Sequence, residues 1–330
     1  MLKIILTIVA AVSVALMDCN PSLYLFDQLS PSAGDHYKGK TVWITGASSG
    51  IGAELAVQLS MAGASLIISA RREGELKKIK ELCPKSADVK LIVLDVTDSA
   101  DVLSATVDEA LKHFGGRGLD ILMLNAGRSQ RQPALDSGME VTRDLMKLNF
   151  ESYVELAMLV IKKDRWVEKE QGHIVVTSSL AGKLPVALSS SYAASKWALH
   201  GYFNSLRSEL DWLRVDLICP GPIATPIASK AHSTEAAKAI LASETMESKM
   251  PVDRFVRLML AGVRGPRAVF YETWISPQPE LTFTALGQYL PTFTTALANV
   301  MGPKRIEAFN SGKNIFKSSS WMTSGAEKAK

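Results

Sequence analysis

The chain has 330 residues, 47% hydrophobic and 21% charged, which is enough for one large core or two modest ones. A net charge of +4, diffuse and without a basic-aromatic stripe, argues against a nucleic-acid partner. Cys19, Cys83 and Cys219 form no CxxC pair, zinc spacing or disulfide framework, and the five histidines show no metal-ligand pairing.

Ile4 to Met17 is an apolar run of about fourteen residues between Lys3 and Asp18. That length is short for a bilayer span and typical of a signal segment. Two readings stay open, a cleaved secretory signal and an uncleaved signal-anchor. No small-x-small site lies just before the polar residues, which favours an anchor. The run has no polar face, which argues against a buried first helix. By the positive-inside rule Lys3 points the N-terminus to the cytosol and the body to the lumen. The expected division is therefore a signal or anchor over 1–20, a polar, turn-rich linker over 21–40, a catalytic domain over 41–272, and a C-terminal extension and tail over 273–330.

From Thr41 the pattern becomes regular. Short apolar strands are predicted at Thr41–Thr45, Ser65–Ser69, Val89–Leu94, Leu119–Leu124, His173–Thr177 and Val215–Cys219, with a seventh at Ala268–Tyr271. Helices are predicted between them, including a long one from Asp136 to about Trp166 and another from Ser190 to Leu213. Such alternation means βαβ units and a Rossmann-type, doubly wound parallel sheet of about seven strands with helices on both faces. Ligands bind such sheets at the carboxyl ends of the strands.

Gly46, Gly50 and Gly52 lie between the first strand and the next helix, in a GxxxGxG spacing. Glycine lets the backbone turn sharply and approach a pyrophosphate, and the helix N-terminus attracts its charge. The second strand runs into Arg71 and Arg72, where an NAD site usually carries an acid. Two guanidinium groups suit a 2′-phosphate, so NADP(H) is the expected cofactor; Glu73 is the one nearby acid that works against this reading. Further along, Tyr192 and Lys196 fall one helical turn apart. A phenol beside an ammonium is a candidate acid-base pair, because the positive charge favours the phenolate. Ser178, Tyr153 and Tyr202 are rivals for the roles of Ser179 and Tyr192.

As a set, these motifs resemble the short-chain dehydrogenase/reductase family over about Lys38 to Tyr271. Thr45–Gly52 looks like its glycine motif, Asp95 like the acid that meets the adenine, and Asn125-Ala-Gly127 like its NAG motif. The family's usual LNNAG has Leu124 in place of an asparagine here, with Asn125 retained to steady the strand end. Asn149, Ser179, Tyr192 and Lys196 match the catalytic tetrad, and Cys219–Thr225 the Pro-Gly motif. The resemblance implies cofactor contacts at Gly46, Ser48, Ser49, Gly50, Ile51, Gly52, Arg71, Arg72, Asp95, Val96, Asn125, Ala126, Gly127, Tyr192, Lys196, Pro220, Gly221, Ile223 and Thr225. It also implies Tyr192 as acid or base, Lys196 lowering its pKa and binding the nicotinamide ribose, Ser179 polarising the substrate oxygen, and Asn149 holding a water that links Lys196 to solvent. No metal is implied.

The N-terminal run and the tail narrow the resemblance to the retinal short-chain dehydrogenase-like branch, near the hydroxysteroid dehydrogenases. That implies an endoplasmic reticulum membrane enzyme acting on lipophilic carbonyls such as steroids, retinoids or xenobiotic ketones. A non-catalytic NADP(H)-binding scaffold and an NAD-dependent enzyme that oxidises alcohols are the alternatives. In this family the region from Ile227 to about Met250 is a flexible substrate lid. Leu281 to Val300, interrupted by Pro291, reads either as a helix packed on the core or on a homodimer partner, or as an apolar rim that touches lipid. The stretch from about Asn310 reads as disordered.

Overall fold

The first strand shows how the sequence divides its apolar residues. In β1 (Thr41–Thr45), Val42 and Ile44 point into one hydrophobic core while Trp43 points into another. The same alternation recurs in β2 (Ser65–Ala70), where Leu66 and Ile68 oppose Ile67, and in β4 (Ile121–Leu124), where Ile121 and Met123 oppose Leu122 and Leu124. A strand buried on both faces needs apolar side chains at every position, which is why these runs are continuous. The structure, a computed structural model, describes residues 17–30, 34–115, 117–227, 229–233, 249–267 and 269–311.

Together with β3 (Val89–Val93), β5 (Gly172–Thr177), β6 (Leu213–Pro220) and β7 (Glu272–Ile275), these strands form one seven-stranded sheet in the order β3-β2-β1-β4-β5-β6-β7. Every pairing is parallel. The seventh strand was expected at Ala268–Tyr271 and lies at Glu272–Ile275 instead. The strand order reverses between β1 and β4, and such a switch point opens a crevice at the strands' carboxyl ends.

Within the expected linker at 21–40, two segments are helical. Pro21–Leu29 forms α1, with Pro21 in the first turn where its missing N–H costs nothing. Leu23 and Asp27, one turn apart, both face inward. Gly34–Tyr37 forms α2, and the fully buried Tyr37 hydroxyl donates to Leu260 O at 2.7 Å. Just before α1, Cys19 pairs antiparallel with Ile275 and so covers the edge of the sheet. Arg254 ties this segment down through Asp18 at 2.9 Å and Asp27 at 3.2 Å. Only Leu23 and Asp27 of α1 are buried, and its other apolar residues form no inward stripe, so the sequence concealed a docked helix.

The remaining helices, in chain order, are α3 (Gly50–Met61), α4 (Glu73–Leu82), α5 (Ala100–His113), α6 (Met139–Met146), α7 (Ser152–Lys163), α8 (Trp166–Lys169), α9 (Ser190–Glu209) and α10 (Val252–Arg264), of which α8 and α10 were not predicted. The long helix expected from Asp136 begins at Met139 and is broken by one π-helical turn, Lys147–Glu151, which carries Asn149. Single π turns of this kind concentrate at functional sites. The C-terminal extension is a helical hairpin, α11 (Glu280–Tyr289) and α12 (Pro291–Asn310), with Pro291 starting the second helix. Tyr289, Leu290 and Phe293 at its tip are exposed.

Most of the apolar run at Ile4–Met17, most of the expected lid and the stretch beyond Ser311 lie outside the described residues. Among the described residues no helix is long and apolar enough to cross a membrane.

Docking of α1 is open to test. Leu23→Ala should lower the free energy of unfolding by about 2–4 kcal/mol, the cost of emptying a buried leucine site. Leu25→Ala, on the exposed side at 58% exposure, should change it by less than about 0.5 kcal/mol. Urea titration of both variants separates a docked helix from a linker, for which neither change would matter.

Candidate active site

The crevice begins with a contact that only glycine permits. Gly46 has φ +70°, and a Cβ built there would lie 2.7 Å from Ala126 Cα. The turns after β1 and β4 therefore touch backbone to backbone. Gly52 has a similar constraint, since its Cβ would lie 2.5 Å from Gly46 O. Asn125 joins the ends of β1 and β5: its amide nitrogen donates to Thr45 O at 3.2 Å, and its carbonyl oxygen accepts from Thr177 Oγ1 at 3.3 Å. The retained asparagine thus bridges the strand ends with Leu124 packed in the core.

A cleft of about 350 Å³ opens over this junction. Of the predicted cofactor residues, Gly46, Ser48, Ser49, Gly50, Ile51, Arg71, Arg72, Asp95, Val96, Asn125, Ala126, Gly127, Tyr192, Lys196, Pro220 and Thr225 line it. Gly52, Gly221 and Ile223 do not. Gly52 serves the packing just described. Gly221 and Ile223 line a second, adjacent pocket, and a Cβ on Gly221 would overlap the Ser276 side chain. The cleft also includes Arg128, Leu148 and Lys230. Arg128 directly follows the NAG motif, but Leu148 and Lys230 carry no local signal and are recruited by the fold.

At the β2 end, Arg72 Nη2 donates to Ser48 Oγ at 2.9 Å and to Ser49 Oγ at 3.2 Å, so the guanidinium lies along the glycine turn. Glu73 pairs with Lys77 at 2.7 Å, one turn along its own helix, and does not line the cleft. Asp95 accepts from Thr97 N at 3.0 Å and Thr97 Oγ1 at 2.7 Å, and Arg71 lies 3.4 Å away. Burial pushes the Asp95 carboxyl up, but these hydrogen bonds and Arg71 outweigh it and hold the group below its ordinary range.

Tyr192 and Lys196 project from α9 and are 8% and 4% exposed. Lys196 Nζ donates to Thr177 O at 2.8 Å and sits 5.9 Å from the Tyr192 ring centre. Burial pulls the Lys196 ammonium down to about 7, with a small opposing effect from Cys219. Burial likewise raises the Tyr192 phenol, and the Ser179 hydrogen bond and the Arg131 charge offset it only in part. This is opposite to the expected lowering by Lys196. A desolvated lysine that titrates near neutrality holds little charge with which to favour a phenolate.

Ser179 and its rivals take different places. Ser179 Oγ accepts from Ala181 N at 3.1 Å and lines the second pocket with Tyr192. Ser178 lines the first cleft, with its Oγ 2.9 Å from His200 Nε2. Tyr153 is buried under the site, and Tyr202 stacks on Phe203 and Phe150. Asn149 lines neither pocket. Its Oδ1 accepts from Arg128 N at 2.9 Å, and its Nδ2 donates to Arg128 O at 2.9 Å and Ser195 Oγ at 3.0 Å. Its side chain is therefore engaged in fixing the loop after β4 to α9.

The second pocket, about 200 Å³, shares Ile51, Tyr192, Pro220, Thr225 and Ile227 with the first. Leu180, Leu184, Val186, Ile223 and Ile227 make its walls apolar, while Arg131, Lys249, Glu280 and Arg305 also reach it. None of these four was found from sequence. They lie in separate stretches and share no spacing that would signal a site.

A dinucleotide suits the larger cleft. An ammonium has three N–H donors, and among the described residues Lys196 Nζ has one acceptor, Thr177 O. Gly127 leaves the space beside Nζ open, since even a built Cβ would stand 3.9 Å away. A ribose diol can accept the remaining donors, and the backbone at Gly46 and the N-terminus of α3 suit a pyrophosphate.

A parallel sheet with a glycine-lined switch-point crevice, opening on a buried Ser, Tyr and Lys, defines a nucleotide-dependent oxidoreductase. The chain belongs to the short-chain dehydrogenase/reductase family: residues 40–236 match the short chain dehydrogenase family. It is 43% identical over 279 residues to human "Dehydrogenase/reductase SDR family member 7", covering 82% of this chain and 80% of that protein. Among solved structures it resembles actinorhodin polyketide ketoreductase with NADPH, at TM-score 0.62 and 26% identity over 72% of this chain and 95% of the other. A Burkholderia phymatum family member in complex with NAD shares the fold at TM-score 0.64 and 23% identity, over 84% and 97%.

The Lys196 shift has a stability signature. Its folded pKa lies below its unfolded value near 10.5, so between pH 7 and pH 10 the unfolded chain binds the extra proton and stability rises with pH. Below pH 7 both states are charged and the burial penalty is full and constant. Relative to Lys196→Met, the parent should gain stability steadily from pH 7 to pH 10. Denaturant titrations of the two proteins across that range measure the difference, and a flat difference would mean an ordinary lysine.

Proposed function

We propose that this chain is a membrane-associated oxidoreductase that moves a hydride between NADP(H) and a lipophilic carbonyl or alcohol by a Ser-Tyr-Lys mechanism. One observation carries the reading: Tyr192 stands in the common wall of the dinucleotide cleft and the apolar pocket, with Lys196 behind it and Ser179 beside it. A proton donor belongs at that wall, where a hydride donor on one side would meet a carbonyl on the other.

NADP(H), when bound, supplies the hydride. The chain's own residues do the rest. Ser179, oriented by the Ala181 amide, donates a hydrogen bond to the substrate oxygen where negative charge develops. Tyr192 gives its proton to that oxygen in reduction and takes it back in oxidation. Its raised pKa keeps the phenol protonated at neutral pH, as a reductase requires. Lys196, held by Thr177 O, orients the ribose and can pass a proton toward Tyr192. Asn149 keeps the loop after β4 and α9 in register. The apolar walls of the second pocket exclude water and favour a hydrophobic substrate of the steroid or retinoid kind.

The preference for NADP(H) rests on Arg72 stretched over Ser48 and Ser49, on Arg71, and on Lys230 at the same end of the cleft. Association with the endoplasmic reticulum membrane rests on the apolar run at Ile4–Met17 and on the family branch it resembles.

Tyr192→Phe should lower the rate of ketone reduction by about 10²–10⁴-fold, with NADPH binding retained in a fluorescence titration. Activity near that of the parent would remove Tyr192 from the chemistry. Arg72→Ala should raise KM for NADPH by roughly 10–100-fold, the loss of charge-assisted bonds to one phosphate. KM for NADH should hardly move. Equal effects on both cofactors, read in the same steady-state assay, would count against a 2′-phosphate site.

A further inference from the structure

Tyr192 stands in the first turn of α9, where the amides have no carbonyl partner within the helix. The first bond of the helix runs from Ala193 N to Ser189 O at 2.7 Å. The N–H groups of Ser190, Ser191 and Tyr192 precede it and need acceptors from elsewhere. A serine at the N-cap ordinarily supplies one with its hydroxyl. Ser189, the N-cap of α9, makes no such bond. Its Oγ instead donates to Gln130 O at 3.0 Å and accepts from Arg131 Nη1 at 2.9 Å.

Gln130, 61 residues upstream of Ser191, takes the place of the missing cap. Its Oε1 accepts from Ser191 N at 2.9 Å and from Tyr192 N at 3.2 Å. These are the second and third amides of the helix, the two that a capping oxygen serves. Its Nε2 donates to Ser137 Oγ at 2.9 Å, so both polar atoms of the amide are engaged. The residue is fully buried, and it lines neither the dinucleotide cleft nor the second pocket. Gln130 therefore acts on the site only through what it holds.

The loop that carries Gln130 is itself fixed on both sides. Asn149 holds Arg128 N and Arg128 O, each at 2.9 Å. His232 N donates to Ser129 O at 2.9 Å, and His232 O accepts from Arg131 N at 2.7 Å. Gln132 N donates to Leu188 O at 3.0 Å, just before α9. The loop starts at Asn125-Ala-Gly127, which lines the dinucleotide cleft. A continuous chain of hydrogen bonds thus joins the cofactor loop to the backbone of the tyrosine. Lys196 lies one turn further on and is held separately by Thr177 O, so Tyr192 is the member of the pair that depends on the cap.

We propose that Gln130 is a positioning residue for Tyr192: it caps α9 from the loop after β4 and sets the place of the proton donor relative to the cofactor cleft. This deepens the reductase reading and rests on it.

The test uses the full chain with NADPH and the fastest substrate among a steroid ketone, retinal and acetophenone. Gln130→Leu and Gln130→Met remove the acceptor with little change in volume. In single turnovers followed by NADPH fluorescence, both should slow carbonyl reduction by about 10–100-fold, as misplacement of a reacting group does, with Kd for NADPH within about twofold of the parent. Gln130→Glu keeps an oxygen for both amides, and a carboxylate suits a helix N-terminus, so it should recover most of the rate. Amide hydrogen exchange in the peptide Ser189–Lys196 should quicken by about tenfold or more in Gln130→Leu, with exchange beyond Leu199 unchanged. Unslowed turnover, slowed turnover with unchanged exchange, no recovery in Gln130→Glu, or loss of NADPH binding in both acceptor-free variants overturns the role of Gln130 and leaves the reductase reading intact. A parent that reduces none of the three compounds overturns both.

Discussion

The crevice depends on two backbone turns meeting with no side chain between them. Gly46 stands so close to Ala126 that any Cβ at position 46 would overlap it. That approach brings the ends of β1 and β4 together where the sheet changes direction, and Asn125 then ties in β5. Arg72, Asp95, Tyr192 and Lys196 reach the same cleft because each lies at or just beyond the carboxyl end of a neighbouring strand, or on a helix packed beside one. A substituent at position 46 would separate the turns and move every one of these groups relative to the others.

Burial governs the electrostatics of the site. Lys196 and Tyr192 are both almost completely withdrawn from water, and each shifts toward its neutral form. The pair does not behave as a fixed ammonium beside a phenolate. A phenol kept protonated by burial, with a lysine about half charged near pH 7 behind it, suits the proton-donor role proposed for Tyr192. Ser179 lies on the side of the second pocket and accepts from Ala181 N, while Thr177 O holds Lys196 from the sheet side.

The two ends of the chain complete the domain at separate places. Residues 18–29 cover the β7 edge and dock on α10 through Arg254, Asp18 and Asp27. An uncovered edge strand would invite pairing with another chain. The C-terminal hairpin closes the outer side of the second pocket through Leu188 and Leu184. The same hairpin brings Glu280 and Arg305 to a pocket whose remaining walls come from the Rossmann-type core.

Local signals were enough for much of this. Continuous apolar strands are legible because a sheet covered on both faces admits nothing else, and glycine at 46 is legible because its backbone conformation excludes other residues. Tyr192 and Lys196 are legible from helical spacing. The docked helix Pro21–Leu29 was not, because its inward positions are few and its partner Arg254 is more than 200 residues away. Nor was the final strand, displaced from Ala268–Tyr271 to Glu272–Ile275, because an edge pairing is chosen by its neighbour. The charges of the second pocket come from four separate stretches, and only the folded hairpin and loops bring them to one cavity. The sequence by itself determined the strands before β7, the glycine turn and the one-turn spacing of Tyr192 and Lys196, since each depends on residues within a few positions of one another. The state of that pair and the character of the pocket beside it were decided by tertiary structure, because desolvation and charge convergence exist only once distant segments have packed together.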